Sequence, residues 1–109
     1  MPAGESKNNI YINDLYSAIL KLRNLDEAQR FFRDLLTEQE ILEFSRRWRA
    51  AQMLAGQQSY AAIEQETGLS SATVARISKW LNSGMDGYKL IIKRTRAHQH
   101  HLTVRKGLA

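Results

Sequence analysis

Between Ser59 and Asn82 two short helical patterns meet at one glycine, and this break limits the possible folds more than any other feature of the chain. The stretch reads "SYAAIEQETGLSSATVARISKWLN". Ser59 is placed to cap a first helix that ends at Thr67, and Ser70 to cap a second that runs to about Asn82. Gly68 between them tolerates the left-handed backbone that a sharp turn needs. Leu69 is positioned to drop into the core. Val74, Ile77 and Leu81 make one inward stripe, with Ile63 facing them from the first helix. A helix of about eight residues, a glycine turn and a helix of about twelve is the plan of a helix-turn-helix.

The outward face of the second helix has a different character. Ser71, Ala72 and Ala75 are small, which lets a helix sit deep in the major groove with its N-terminal part near base edges. Arg76 and Lys79, one turn on, suit phosphates or a guanine edge. The hydroxyls of Ser70 and Ser71 lie at the helix N-terminus, itself an anion-binding position. The candidate DNA-binding set is therefore Ser70, Ser71, Ala72, Ala75, Arg76 and Lys79. An ordinary helical hairpin shares the spacing, but the turn glycine, the serine cap and the basic second helix together favour DNA.

Helical periodicity covers most of the remaining chain. Leu15, Ala18, Ile19 and Leu22 follow one face of a first helix. Asn24 caps a second, with Asp26 and Glu27 in its first turn and Leu25, Ala28, Phe31, Phe32 and Leu35 as its stripe. Thr37 and Glu40 form a capping box for a third helix. Its stripe is Ile41, Phe44, Trp48, Ala51 and Leu54 or Ala55, and Gly56 is expected to close it in the left-handed conformation. "NSGMDG" is a turn signal, and "YKLIIKR" makes a last short helix. "TRAHQHHLTVRKGLA" has no sustained period. The expected layout is a flexible N-terminus at 1–9, a helical domain at 10–94 and a basic tail at 95–109. The wide apolar faces of the first two helices, Phe31, Phe32, Leu35 and Leu36 among them, exceed what one short chain can bury, which points to a dimer sharing helices.

Charge is distributed unevenly. Residues 1–83 hold ten Lys/Arg and ten Asp/Glu, whereas 84–109 hold six Lys/Arg against Asp86 alone. The net charge of +5 thus resides at the C-terminal end, which suits a polyanion such as nucleic acid. The 109 residues include no cysteine, which excludes disulfides and thiolate metal sites. No apolar run reaches the length of a membrane span and no signal-peptide core precedes the helices, so a cytoplasmic, nucleoid-associated protein is expected. His98, His100 and His101 could ligate a metal, but without carboxylate or cysteine helpers they read as a solvated tail. No phosphate loop, HExxH or nucleophile elbow is present, and no enzyme is expected.

On "LLTEQE", "SRRWRAAQMLAG", the Ser59–Asn82 stretch and "GYKL", the chain from about Leu15 to Arg94 resembles the Trp repressor superfamily, and within it the bacterial YerC/YecD-type branch. The resemblance implies an all-α, six-helix fold and an intertwined homodimer. Its two helix-turn-helix units would meet successive major grooves of a palindromic operator on double-stranded DNA. In the tryptophan-responsive repressor an arginine from the third helix and one from the recognition helix flank the corepressor, at positions matching Arg47 and Arg76. Two threonines near that pocket match Thr37 and Thr73. A small glycine and a small serine of that repressor are replaced here by Ile77 and Trp80, which would fill the space of an indole ring. The expectation is a repressor-like regulator with no cofactor and no tryptophan response, its effector, if one exists, unknown. Basic positions on the first helix of the repressor's motif match Ala61 and Glu64, so phosphate contacts would fall to Arg76, Lys79, Arg46, Arg49 and the C-terminal segment. The competing readings are a dimeric interaction module that does not bind DNA, and a sensor of another small ligand.

Overall fold

The computed structural model describes the backbone of residues 6–108 and the side chains of residues 6–98. Six α-helices follow one another: α1 (Lys7–Ile19), α2 (Leu25–Leu35), α3 (Glu38–Ala55), α4 (Tyr60–Thr67), α5 (Ser71–Ser83) and α6 (Gly87–Leu108). No strand occurs among the described residues. The chain divides into two compact units, 1–41 and 42–109.

Local chemistry sets the helix starts. Asn24, Ser59 and Ser70 have extended backbones, and their side chains accept from the amides of Glu27, Ala62 and Thr73. Each satisfies one of the four amides that a helix start leaves without an intrahelical partner. At α3 the capping box is complete: Glu40 N–H donates to Thr37 Oγ1 at 3.1 Å, and Thr37 N–H donates to Glu40 Oε1 at 2.9 Å. Ser6 caps α1 in the same way. The helix therefore begins at Lys7, inside the stretch expected to be flexible, whose residues 1–5 lie outside the described ones. At the other end, α6 continues to Leu108 through the segment without apolar period.

In the unit 1–41, neither α1 nor α2 has a buried residue. Leu15, Ala18, Ile19, Leu22, Ala28, Phe31, Phe32 and Leu36 are half-buried, and the Phe31 and Phe32 rings meet edge to face at 5.5 Å. Leu25 and Leu35, expected in the buried stripe, are 73% and 46% exposed. The spacing of these apolar residues is helical, but none of them is fully buried.

The unit 42–109 holds the core. Ala50, Ala51 and Met53 of α3, Ile63 of α4, Leu69 of the turn, Val74, Ile77 and Leu81 of α5, and Ile92 of α6 are all buried. Trp48 of α3 stacks on Tyr88 of α6, with ring centroids 6.3 Å apart and planes 23° apart. Phe44, placed in the α3 stripe on spacing, is 51% exposed. Ala51 of that stripe is buried and Trp48, Leu54 and Ala55 pack against the core, with Ala50 and Met53 beside them.

The end of α3 also departs from expectation. The left-handed residue is Gln57 (φ 63°), not Gly56. Gln58 N–H donates to Met53 O at 3.0 Å and Gln57 N–H to Leu54 O at 2.9 Å, the paired 6→1 and 5→2 bonds of a Schellman motif. The glycine stands one residue before the position that needs one. Gln57→Gly is therefore expected to stabilise the protein by about 0.5 kcal/mol, since a side-chain-bearing residue in this region costs ~1 kcal/mol and added glycine entropy offsets part of it. A urea-unfolding midpoint at or below the wild-type value would contradict this.

Candidate nucleic-acid interface

The turn between α4 and α5 is held by three local devices. Gly68 adopts φ 74°, with its amide bonded to Glu64 O at 2.8 Å. Leu69 is buried at 7% exposure and pins the turn to the core. Thr67, which spacing alone does not single out, is the buried polar residue of the pair: its hydroxyl donates to Ile63 O at 2.7 Å and accepts from Leu69 N–H at 3.2 Å. Together these fix α5 against α4 by side chains from both helices, with Ile63, Val74 and Ile77 fully buried.

The opposite face of α5 is open. Ser70, Ser71, Ala72, Ala75, Arg76 and Lys79 are all exposed. Arg76 and Lys79 have no carboxylate within ion-pair distance among the described residues. Ser70 is more committed than its place in the candidate set suggests. Its Oγ accepts from Thr73 N–H and donates to Thr73 Oγ1 at 3.0 Å. Ser71 donates to Glu64 Oε1 across the turn. Glu64 thus points at the first residue of α5 and orients it. Its carboxylate also puts a negative charge beside the N-terminus of that helix, where it interacts well with the helix dipole but repels phosphate. Ala61 is exposed.

Of the residues matched to the corepressor pocket, Arg47, Thr73, Arg76, Ile77 and Trp80 belong to the unit 42–109. Thr37, in the unit 1–41, spends its hydroxyl on the α3 cap. Arg47 is half-buried and bonds Glu43 at 3.3 Å within α3. Thr73 is half-buried against Ser70, and Arg76 is exposed. Ile77 is fully buried and part of the core. Trp80, expected to pack where an indole would lie, is 44% exposed. It lines an apolar depression of about 440 Å³ with Gly84, Met85, Gly87 and Tyr88 at the α5–α6 turn. Ile77 fills its position, while Trp80 turns toward α6. His98 is exposed and the side chains of His100 and His101 lie outside the described residues. No group of three metal-ligating side chains occurs among the described residues.

A short helix locked by a buried stripe, a glycine turn and a second helix with a small, cationic outer face define a helix-turn-helix protein of the all-α class. Comparison with known proteins narrows the class. Residues 11–96 match the Trp repressor protein family. The chain is 40% identical over 85 residues to the uncharacterized protein YerC of Bacillus subtilis strain 168, covering 78% of this chain and 82% of that one. Crystal structures of a TrpR-like protein from Eubacterium eligens and a putative Trp repressor from Staphylococcus aureus are 42% and 40% identical to it. Both superpose with a TM-score of 0.75, over 78% and 80% of this chain and 88% and 87% of those. The chain belongs to the Trp repressor family. Among the described residues no helix is long and apolar enough to cross a membrane.

Proposed function

We propose that this protein is a DNA-binding transcriptional regulator that acts as a homodimer on a palindromic operator, and that it does not use tryptophan as corepressor. The observation that carries the reading is the exposed face of α5. Ala72 and Ala75 leave room for close approach to a groove, and Arg76 and Lys79 are uncommitted beside them. The helix beneath is rigidly seated by five buried apolar side chains, Ile63, Leu69, Val74, Ile77 and Leu81. A dimer is supported by α1 and α2, which hold no fully buried residue, while Ile10, Tyr11, Ile12 and Tyr16 of α1, Leu20 at its C-cap and Leu25 of α2 are exposed. An exposed apolar surface of this extent is costly for a free monomer.

Selection from random duplexes at two salt concentrations tests the proposal. An enriched two-fold sequence with half-sites about one DNA turn, roughly 34–36 Å, apart is the expected result. Binding without enrichment would leave a nonspecific basic binder, and no binding at all would favour an interaction module on the same scaffold.

The proposed lack of a tryptophan response rests on Ile77. A branched side chain at 0% exposure belongs to the core between helices, and a ligand ring could enter only by displacing it. A calorimetric titration with tryptophan is expected to show no saturable heat. Micromolar binding would overturn this part of the reading.

A further inference from the structure

We infer that the groove between the C-terminal half of α3 and the middle of α6 is a binding site for a phosphate group. Arg49 from α3 and Arg96 from α6 line one polar depression of about 260 Å³ together with the buried Ile92. Gln52, Gln58 and Thr95, each with a polar side chain, line the same space. Among the described residues, neither arginine has a carboxylate within ion-pair distance. The hydrogen bonds among those residues likewise engage none of these five side chains, in contrast to the helix-surface bonds of Arg47 and Asn82.

The charge around the site is one-sided. A neighbouring depression shares Ile92 and Arg96 and adds Lys89 and Lys93, and among the described residues no acidic side chain lines either one. Cations gathered on two packed helices repel one another unless an anion joins them. Guanidinium is the side chain best shaped to hold an oxyanion by paired N–H bonds, and amide and hydroxyl donors complete such a site.

Arg96 has one competing role. Its Nη2 lies 3.9 Å from where a Cβ on Gly56 would stand, at the C-terminal end of α3, and a cation there interacts favourably with the helix dipole. The carbonyls of Gln52, Met53 and Leu54 already accept from the amides of Gly56, Gln58 and Gln57. Arg96 is therefore not needed to satisfy them, and Arg49 has no such role.

The test uses the full-length protein, with inorganic phosphate as the probe at constant ionic strength balanced with chloride. Thermal unfolding is expected to shift upward saturably with phosphate, following binding linkage to the native state, and the Arg49→Gln/Arg96→Gln variant is expected to lose the shift. Gly56→Glu is the second variant. Its backbone is unstrained and its Cβ would meet only ordinary contacts, the nearest at 3.5 Å, so it should fold and place a carboxylate in the groove, also removing the response. A parallel arm measures duplex binding against salt. If phosphate shifts nothing but the arginine variant lowers the log–log salt slope by about 1–2, the phosphate held is one of the DNA backbone. If the phosphate shift is absent, or survives in both variants, and the salt slope is unchanged, the proposal is wrong. The phosphate arm requires no DNA, so it stands or falls apart from the regulator reading.

Discussion

Ala75→Glu is expected to abolish specific duplex binding, a loss of at least about 100-fold, while the unfolding midpoint stays near wild type. About 100-fold corresponds to roughly 3 kcal/mol. The side chain at 75 is exposed on α5, whereas its immediate neighbour Val74 is buried in the core. A glutamate there leaves the buried stripe untouched, and an exposed helix position tolerates it at little cost in propensity. On the groove-facing side the effect is twofold. The longer side chain holds the helix away from the base edges, and its charge meets the phosphate potential that supplies much of any protein–DNA affinity. Fluorescence anisotropy on the selected operator, with circular dichroism on the same preparation, separates the two readouts. Binding that survives with the fold intact would show that the recognition face lies elsewhere.

This prediction depends on a part of the structure that was legible in the sequence because its determinants are local. Ser59, Ser70 and the Thr37–Glu40 pair act within three residues of themselves, and Gly68 meets a backbone need that few other residues can. The inward set of Ile63, Leu69, Val74, Ile77 and Leu81 follows from helical spacing once the turn is fixed. Features set by packing or by register were less legible. Spacing assigned Leu25 and Phe44 to a helix face but could not say whether anything covers that face. The left-handed residue fell on Gln57 because the register of a Schellman motif is decided by the hydrogen bonds of α3, and residue type alone favoured the adjacent glycine. The bond between Ser71 and Glu64 links residues seven apart across a turn, and the buried hydroxyl of Thr67 resembles a surface threonine in sequence. At the C-terminal end, the continuation of α6 needs no apolar period, since alanine, arginine, glutamine, leucine and lysine are good helix formers and no proline follows Pro2. The chosen DNA-facing residues are legible as an exposed surface, whereas their contacts depend on a partner the sequence does not contain.

Gly84→Ala is expected to destabilise the protein by on the order of 3 kcal/mol, the largest effect foreseen for any single added methyl group. Gly84 is the C-terminal cap of α5, directly after Ser83. A Cβ built there would meet the carbonyl carbon and Cα of Trp80 at 3.1 Å and would overlap its oxygen outright. The obstacle is backbone, so no rotamer change relieves it. The same oxygen accepts the Gly84 amide at 3.0 Å, and moving it away breaks the bond that closes α5. The disturbance then reaches Tyr88 and Ile92, because α6 begins three residues later and carries both the ring stacked on Trp48 and a buried core side chain. Gly87→Ala is the control: nothing lies within 4 Å of its Cβ position and its backbone is unstrained, so helix propensity should leave it neutral or slightly stabilised. Urea unfolding followed by tryptophan fluorescence reads both variants and reports directly on Trp48 and Trp80. A Gly84→Ala midpoint matching that of Gly87→Ala would mean that the α5–α6 turn has a different backbone path from the one described, and that the placement of α6 against Trp48 must be reconsidered.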